Sequence, residues 1–148
     1  MAILCASFFP DRCVALVTES AQAFVEERTI EGILLAKNNF ERPSEMAKLE
    51  KYHGERADWV LKAWTEVWLS TKFSTWSLEK VLPNVFSPIL VIHGDKDEYG
   101  SVQFPLMISQ CTSGKSRMEL LENCGHVPHR EQAESVLTLV SDFLKGKE

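Results

Sequence analysis

Missing from this sequence is any apolar run near the roughly 20 residues that a membrane-spanning helix requires, so no membrane span is expected. Missing too is any cluster of lysines or arginines. With a formal charge of −5, the chain offers nucleic acid no basic face. Cysteine is sparse: Cys5, Cys13, Cys111 and Cys124 form no C-x-x-C pair, and no histidine stands at metal-ligand spacing. The expectation is reduced, mostly buried thiols in a cytoplasmic protein, with no metal and no cofactor. The opening "MAILCASFFP" lacks the basic leader and small-residue cleavage site of a signal peptide. There is no internal repeat and no low-complexity segment.

What is present suits one soluble domain: 148 residues, 45% hydrophobic and 25% charged. Two near-continuous Val/Ile/Leu runs, "CVALVTES" (13–20) and "PILVIHG" (88–94), predict parallel strands covered on both faces. "RMELLENC" (117–124) is a third strand candidate with less regular alternation. "FPLMISQC" (104–111) reads as a helix between the second and third strands. Val136, Leu137, Val140, Phe143 and Leu144 mark a last helix ending at Lys145 and Gly146. Strand–helix alternation in this order predicts parallel pairing through right-handed crossovers.

Residues 21–84 break that rhythm with amphipathic helices and no convincing strand. Val60, Leu61, Trp64, Val67 and Trp68 define one apolar helix face. All four tryptophans (Trp59, Trp64, Trp68 and Trp76) lie in this segment and read first as packing residues. Lining an apolar substrate pocket is their alternative use. "AILCASFFPDR" reads as the last turns of a buried helix that leaves through Pro10 and Asp11, with no capping residue before it.

Reactive groups of an open parallel sheet gather at the carboxyl ends of its strands. "ILVIHGDKDEYG" puts Asp95 and Asp97 just past one such end, and "LLENCGHVPHRE" puts His126 and His129 just past the next. Neighbouring strands lie about 5 Å apart, so an aspartate of the first turn is within reach of an imidazole of the second. That pairing fixes the tautomer of a general base and stabilises its cation.

Three pieces together resemble the carboxyl-terminal half of the α/β-hydrolase fold family, over essentially the whole chain. "FFPDRCVALVTESA" resembles the segment that leaves the nucleophile helix for the sixth strand, with Cys13 where a valine is usual. "PILVIHGDKDEYG" resembles the seventh strand and acid turn. "CGHVPHREQAESVLTLVSDFL" resembles the histidine turn and last helix. The resemblance implies an α/β class and a partial α/β-hydrolase fold: the last three parallel strands, flanking helices and a helical lid. It divides the chain into 1–20 (end of the nucleophile helix and sixth strand), 21–84 (lid) and 85–148 (carboxyl-terminal core).

By that resemblance the catalytic acid is Asp97 and the base is His126. Asp95 is then a turn residue, His129 a surface or pocket-rim residue, and His93 structural. His53 has no evident partner, and Tyr99 is a candidate for shaping the pocket. The family's nucleophile sits in a G-x-S-x-G elbow. None of the thirteen serines here has glycine at both second-neighbour positions. Counting back from Pro10 along the family pattern places the elbow a few residues before Met1, with the oxyanion donors also upstream.

Three expectations follow. The parent activity is hydrolysis of an ester, amide or carbon–carbon bond of a small molecule, by a serine or, in some relatives, an aspartate nucleophile. This chain alone, holding only the acid and the base, is inactive. Its sixth strand, 13–18, forms an apolar edge, so the chain alone is expected to self-associate through it, to swap segments with another copy or to be poorly soluble. The alternative function is a non-catalytic, shortened relative acting as a binding or assembly module.

Overall fold

The computed structural model describes residues 1–146. Three strands, β1 (Leu16–Glu19), β2 (Ile89–Gly94) and β3 (Ser116–Leu121), form one parallel sheet in the order β1-β2-β3. Leu16 pairs with Ile89, and Ile89 with Ser116, so one register runs across the sheet. The expected class and parallel pairing are borne out. Every residue of β2 is buried, as a central strand covered on both faces must be.

Helix α1 (Ala2–Phe8) and a 3₁₀ turn at Pro10–Arg12 precede β1. The helical segment comprises α2 (Glu27–Phe40), α3 (Pro43–His53) and α4 (Ala57–Trp68). After β2 come α5 (Gln103–Cys111), then β3, a single turn α6 (Pro128–Glu131) and α7 (Ala133–Lys145). Among the described residues no helix is long and apolar enough to cross a membrane.

Two compact units emerge: residues 1–24 with those from Ser77 onward, and Val25–Trp76. In the first, Leu90 and Ile92 of β2 pack against Val136 of α7, with Val17, Leu121, Leu139, Val140 and Phe143 around them. Burying two such aliphatic side chains contributes about 1.5–3 kcal/mol each. Ile89, Val91 and His93 alternate to the opposite face. Phe104 of α5 is fully buried and meets Phe24 edge-to-face at 4.7 Å. The chain leaves and re-enters this unit through an antiparallel bridge, Phe24 to Ser77, reinforced by Leu78 N–H donating to the Ala23 carbonyl at 2.7 Å.

In the second unit α2, α3 and α4 pack on one another, and Trp68, Phe73 and Trp76 form an aromatic cluster with centroids 4.9–5.5 Å apart. The buried face of α4 differs from the expected one. Val67 is 47% exposed, while Ala57 and Thr65 are buried. Thr65 sits inside because its hydroxyl donates to the Leu61 carbonyl at 2.9 Å, which satisfies the polar group within the helix. Trp59 is exposed rather than packed.

Other differences have local causes. β1 is shorter than 13–20, since Val14 is 83% exposed and the ladder with β2 begins at Leu16. Helix α1 buries only Ile3 and Ala6, while Phe8 and Phe9 face outward, because one face alone packs against β1 and the 3₁₀ turn at Leu82–Asn84. All four cysteines are free, but only Cys124 is buried.

Candidate active site

The site is built where β2 and β3 end. Asp95, Lys96 and Asp97 follow the last residue of β2, Gly94, and this acid turn lies against the turn after β3. Asp95 N–H donates to the Leu121 carbonyl at 3.0 Å and Lys96 N–H to the Cys124 carbonyl at 2.8 Å. Gly94 makes the approach possible. A Cβ there would stand 2.3 Å from the carbonyl oxygens of both Cys124 and Gly125. The second turn reverses at Asn123, whose φ of 55° is a left-handed conformation that asparagine tolerates. Asp95 Oδ1 then accepts from Cys124 N–H at 3.3 Å, so Asp95 is the turn residue expected of it.

These two turns bring Asp97 and His126 together. Nδ1 of His126 lies 3.0 Å from each carboxylate oxygen of Asp97. A carboxylate only accepts, so neutral His126 carries its proton on Nδ1 and leaves Nε2 bare. Asp97 is 1% exposed, and its Oδ1 also accepts from Tyr99 N–H at 2.8 Å. The Tyr99 ring meets the His126 imidazole edge-to-face at 4.8 Å, so Tyr99 borders that ring directly.

Electrostatics reinforce the pair. Burial pushes the Asp97 carboxyl up, but the His126 bond, the Tyr99 N–H and the nearby imidazoles of His126 and His93 together hold it below its ordinary value. For His126, burial acts downward, yet the Asp97 bond and the charges of Asp97, Glu98 and Glu131 hold it above its ordinary value. The arrangement accepts a proton at Nε2 and stabilises the resulting imidazolium.

The remaining candidates divide clearly. His93 is buried at the end of β2, its Nε2–H donating to the Gly100 carbonyl at 3.3 Å and lying 3.6 Å from Asp97 Oδ2. His129 is exposed and paired through Nδ1 with Glu19 at 2.8 Å. The His129 contact had no signal in the sequence, because Glu19 and His129 are 110 positions apart and meet only once the three strands are aligned. His53 closes α3, in the other unit. Among the described residues no group of three or more His, Cys, Asp or Glu is arranged to hold a metal.

No family model matches the chain, and no curated protein matches it either. Solved structures do. A membrane phospholipase A that is a bacterial virulence factor superposes with a TM-score of 0.75 at 23% identity, covering 99% of this chain and 53% of its own. A meta-cleavage product hydrolase from Pseudomonas fluorescens IP01 gives 0.68 at 16% identity, with 99% and 61% covered. An alpha/beta hydrolase enzyme from a Medee basin deep-sea metagenome library gives 0.66 at 15%, with 97% and 60% covered. The chain has part of the α/β-hydrolase fold. It spans about half to three fifths of the length of these structures, as a partial hydrolase fold should.

Within that hydrolase fold the acid–imidazole pair has a defined pH signature. A raised His126 contributes stability fully below 6.5, lost as pH rises through its folded-state value. A lowered Asp97 contributes stability above 3.8, lost as pH falls through its folded-state value. The difference in urea midpoint between the wild-type chain and His126→Ala is therefore expected to be greatest between pH 3.8 and 6.5. A difference that stays constant from pH 3 to 9 would count against an ionic pair.

Proposed function

We propose that this chain supplies the acid and the base of a hydrolase centre. The observation that carries the reading is His126 Nδ1 held by a buried Asp97, which leaves Nε2 free to take a proton. The nucleophile is a hydroxyl from outside residues 1–148, since no serine here has the glycine-flanked setting. As that oxygen attacks the carbonyl of a small-molecule ester, amide or diketone, its proton passes to Nε2. Asp97 stabilises the imidazolium, which then returns the proton to the leaving group. The free cysteines suit a cytoplasmic setting. The chemistry requires no cofactor.

The test is p-nitrophenyl ester hydrolysis. Residues 1–148 alone are expected to release nitrophenol no faster than their His126→Ala variant. A protein that joins them to a nucleophile-bearing amino-terminal segment is expected to turn over in a His126-dependent way. The absence of a glycine-flanked serine favours one other role, a binding or assembly module, and His126-independent behaviour of the joined protein would select it.

A partner reading accompanies this one. Leu16 and Ser20 N–H groups donate to the Pro88 and Ile92 carbonyls of the β2 side. In a parallel ladder the alternate amides, those of Val17 and Glu19, then face away from β2. Beside this edge Phe8, Phe9 and Val14 are exposed, and a pocket of about 490 Å³ is lined by Cys5, Phe9, Cys13, Val14 and Leu16. The 148-residue chain is expected to pair with a second copy along β1. Sedimentation velocity should show concentration-dependent dimers that a charge at the exposed Val14, Val14→Lys, weakens. A monomer at 100 µM, on the order of the concentration where weak edges associate, would contradict it.

A further inference from the structure

Four backbone N–H groups of the histidine turn donate to side-chain carboxylates. Cys124 donates to Asp95 and His129 to Glu19, at 3.3 and 2.6 Å. The two that bracket His126 share one acceptor: Gly125 N–H donates to Glu131 Oε2 at 2.7 Å, and Val127 N–H to Glu131 Oε1 at 3.0 Å. Both oxygens of a single carboxylate thus straddle the backbone of the base. The fit is close, for a Cβ added at Gly125 would lie 3.0–3.1 Å from the two oxygens. The lever is short as well, since the Glu131 N–H returns to the Val127 carbonyl at 3.1 Å and closes α6 over the same residues.

We propose that Glu131 is a positioning residue for His126: its carboxylate clamps the peptide groups on either side and aims the imidazole at Asp97. The inference rests on reading His126 as the base. A carboxylate is required for chemical reasons. Both facing groups are N–H donors, and only a carboxylate presents two acceptors at this spacing. Glutamine would set an NH₂ against one of them, and aspartate is one methylene too short to reach both. The turn would then be free to rotate, and Nδ1 would lose its bifurcated contact with Asp97. Glu131 also adds negative charge near the imidazole, alongside Asp97 and Glu98 of the acid turn. Tyr99 covers the ring from that turn, and Glu19 engages the neighbouring His129.

The experiment uses the full 148-residue chain and needs no turnover, so it stands or falls apart from the hydrolase reading. Amide exchange of Gly125 and Val127 and the titration of the His126 ring are followed by NMR in wild type, Glu131→Gln and Glu131→Asp. In Glu131→Gln both amides are expected to exchange about tenfold faster, as loss of a charge-assisted bond implies, and the His126 midpoint is expected to fall. In Glu131→Asp, which keeps the charge but cannot reach both amides, exchange is again faster and the midpoint falls as well, though by less than in Glu131→Gln. A midpoint that falls in Glu131→Gln but stays at the wild-type value in Glu131→Asp would assign the effect to charge alone and overturn positioning. If Glu131→Gln unfolds the chain, Glu131→Asp decides. Unchanged exchange at both amides in the folded variants overturns the proposal.

Discussion

Replacing Asp97 by asparagine is expected to lower kcat/KM for ester hydrolysis by about 10³-fold or more in a protein that contains the nucleophile. Asp97 serves two N–H donors, Tyr99 N–H at 2.8 Å and His126 Nδ1–H at 3.0 Å. An asparagine offers one oxygen and one NH₂. If the oxygen stays with Tyr99, the NH₂ faces Nδ1 and drives the ring proton to Nε2, where a base must be bare. If the oxygen turns to His126, the NH₂ opposes the Tyr99 amide in a site that is 1% exposed, and the acid turn opens. Either way the imidazolium loses its counter-charge. Circular dichroism should remain near wild type while rate is lost. A loss of less than tenfold would remove Asp97 from the mechanism.

Gly94→Ala is expected to destabilise the chain by about 3 kcal/mol or more. The added methyl would stand 2.3 Å from two backbone oxygens, those of Cys124 and Gly125, and backbone cannot rotate away as a side-chain tip can. Relief requires parting the acid turn from the histidine turn. That movement sacrifices the Lys96–Cys124 and Asp95–Leu121 backbone bonds and separates Asp97 from His126. Urea denaturation measures the first effect. Loss of the His126 ring shift on Asp97 titration measures the second. Near-native stability with the pair intact would show that the two turns are not held at this contact.

These expectations rest on features of unequal visibility in the sequence. The acid turn and the histidine turn were legible because each is a local pattern: an apolar strand, then glycine and polar turn formers. Parallel pairing brings the two strand ends together, and the family resemblance then singled out Asp97 over Asp95 and His126 over His129. Glu19 and His129 were not legible as a pair, because their contact depends on the β1–β2 register. The face of α4 was misread at Val67 and Thr65, since hydropathy ranks a valine above a threonine whose hydroxyl is satisfied within its own helix. The outward Phe8 and Phe9 were misread for a related reason: composition reports that a residue is apolar, and only packing decides what covers it.

As proposed, His126, aimed by Asp97, activates a nucleophile that lies outside these residues. The most direct measurement is labelling by a fluorophosphonate probe of a protein in which residues 1–148 follow a nucleophile-bearing segment. One serine outside the 148 residues is expected to be labelled, with labelling abolished by His126→Ala. A folded protein that is not labelled, or is labelled equally well without His126, would contradict that role.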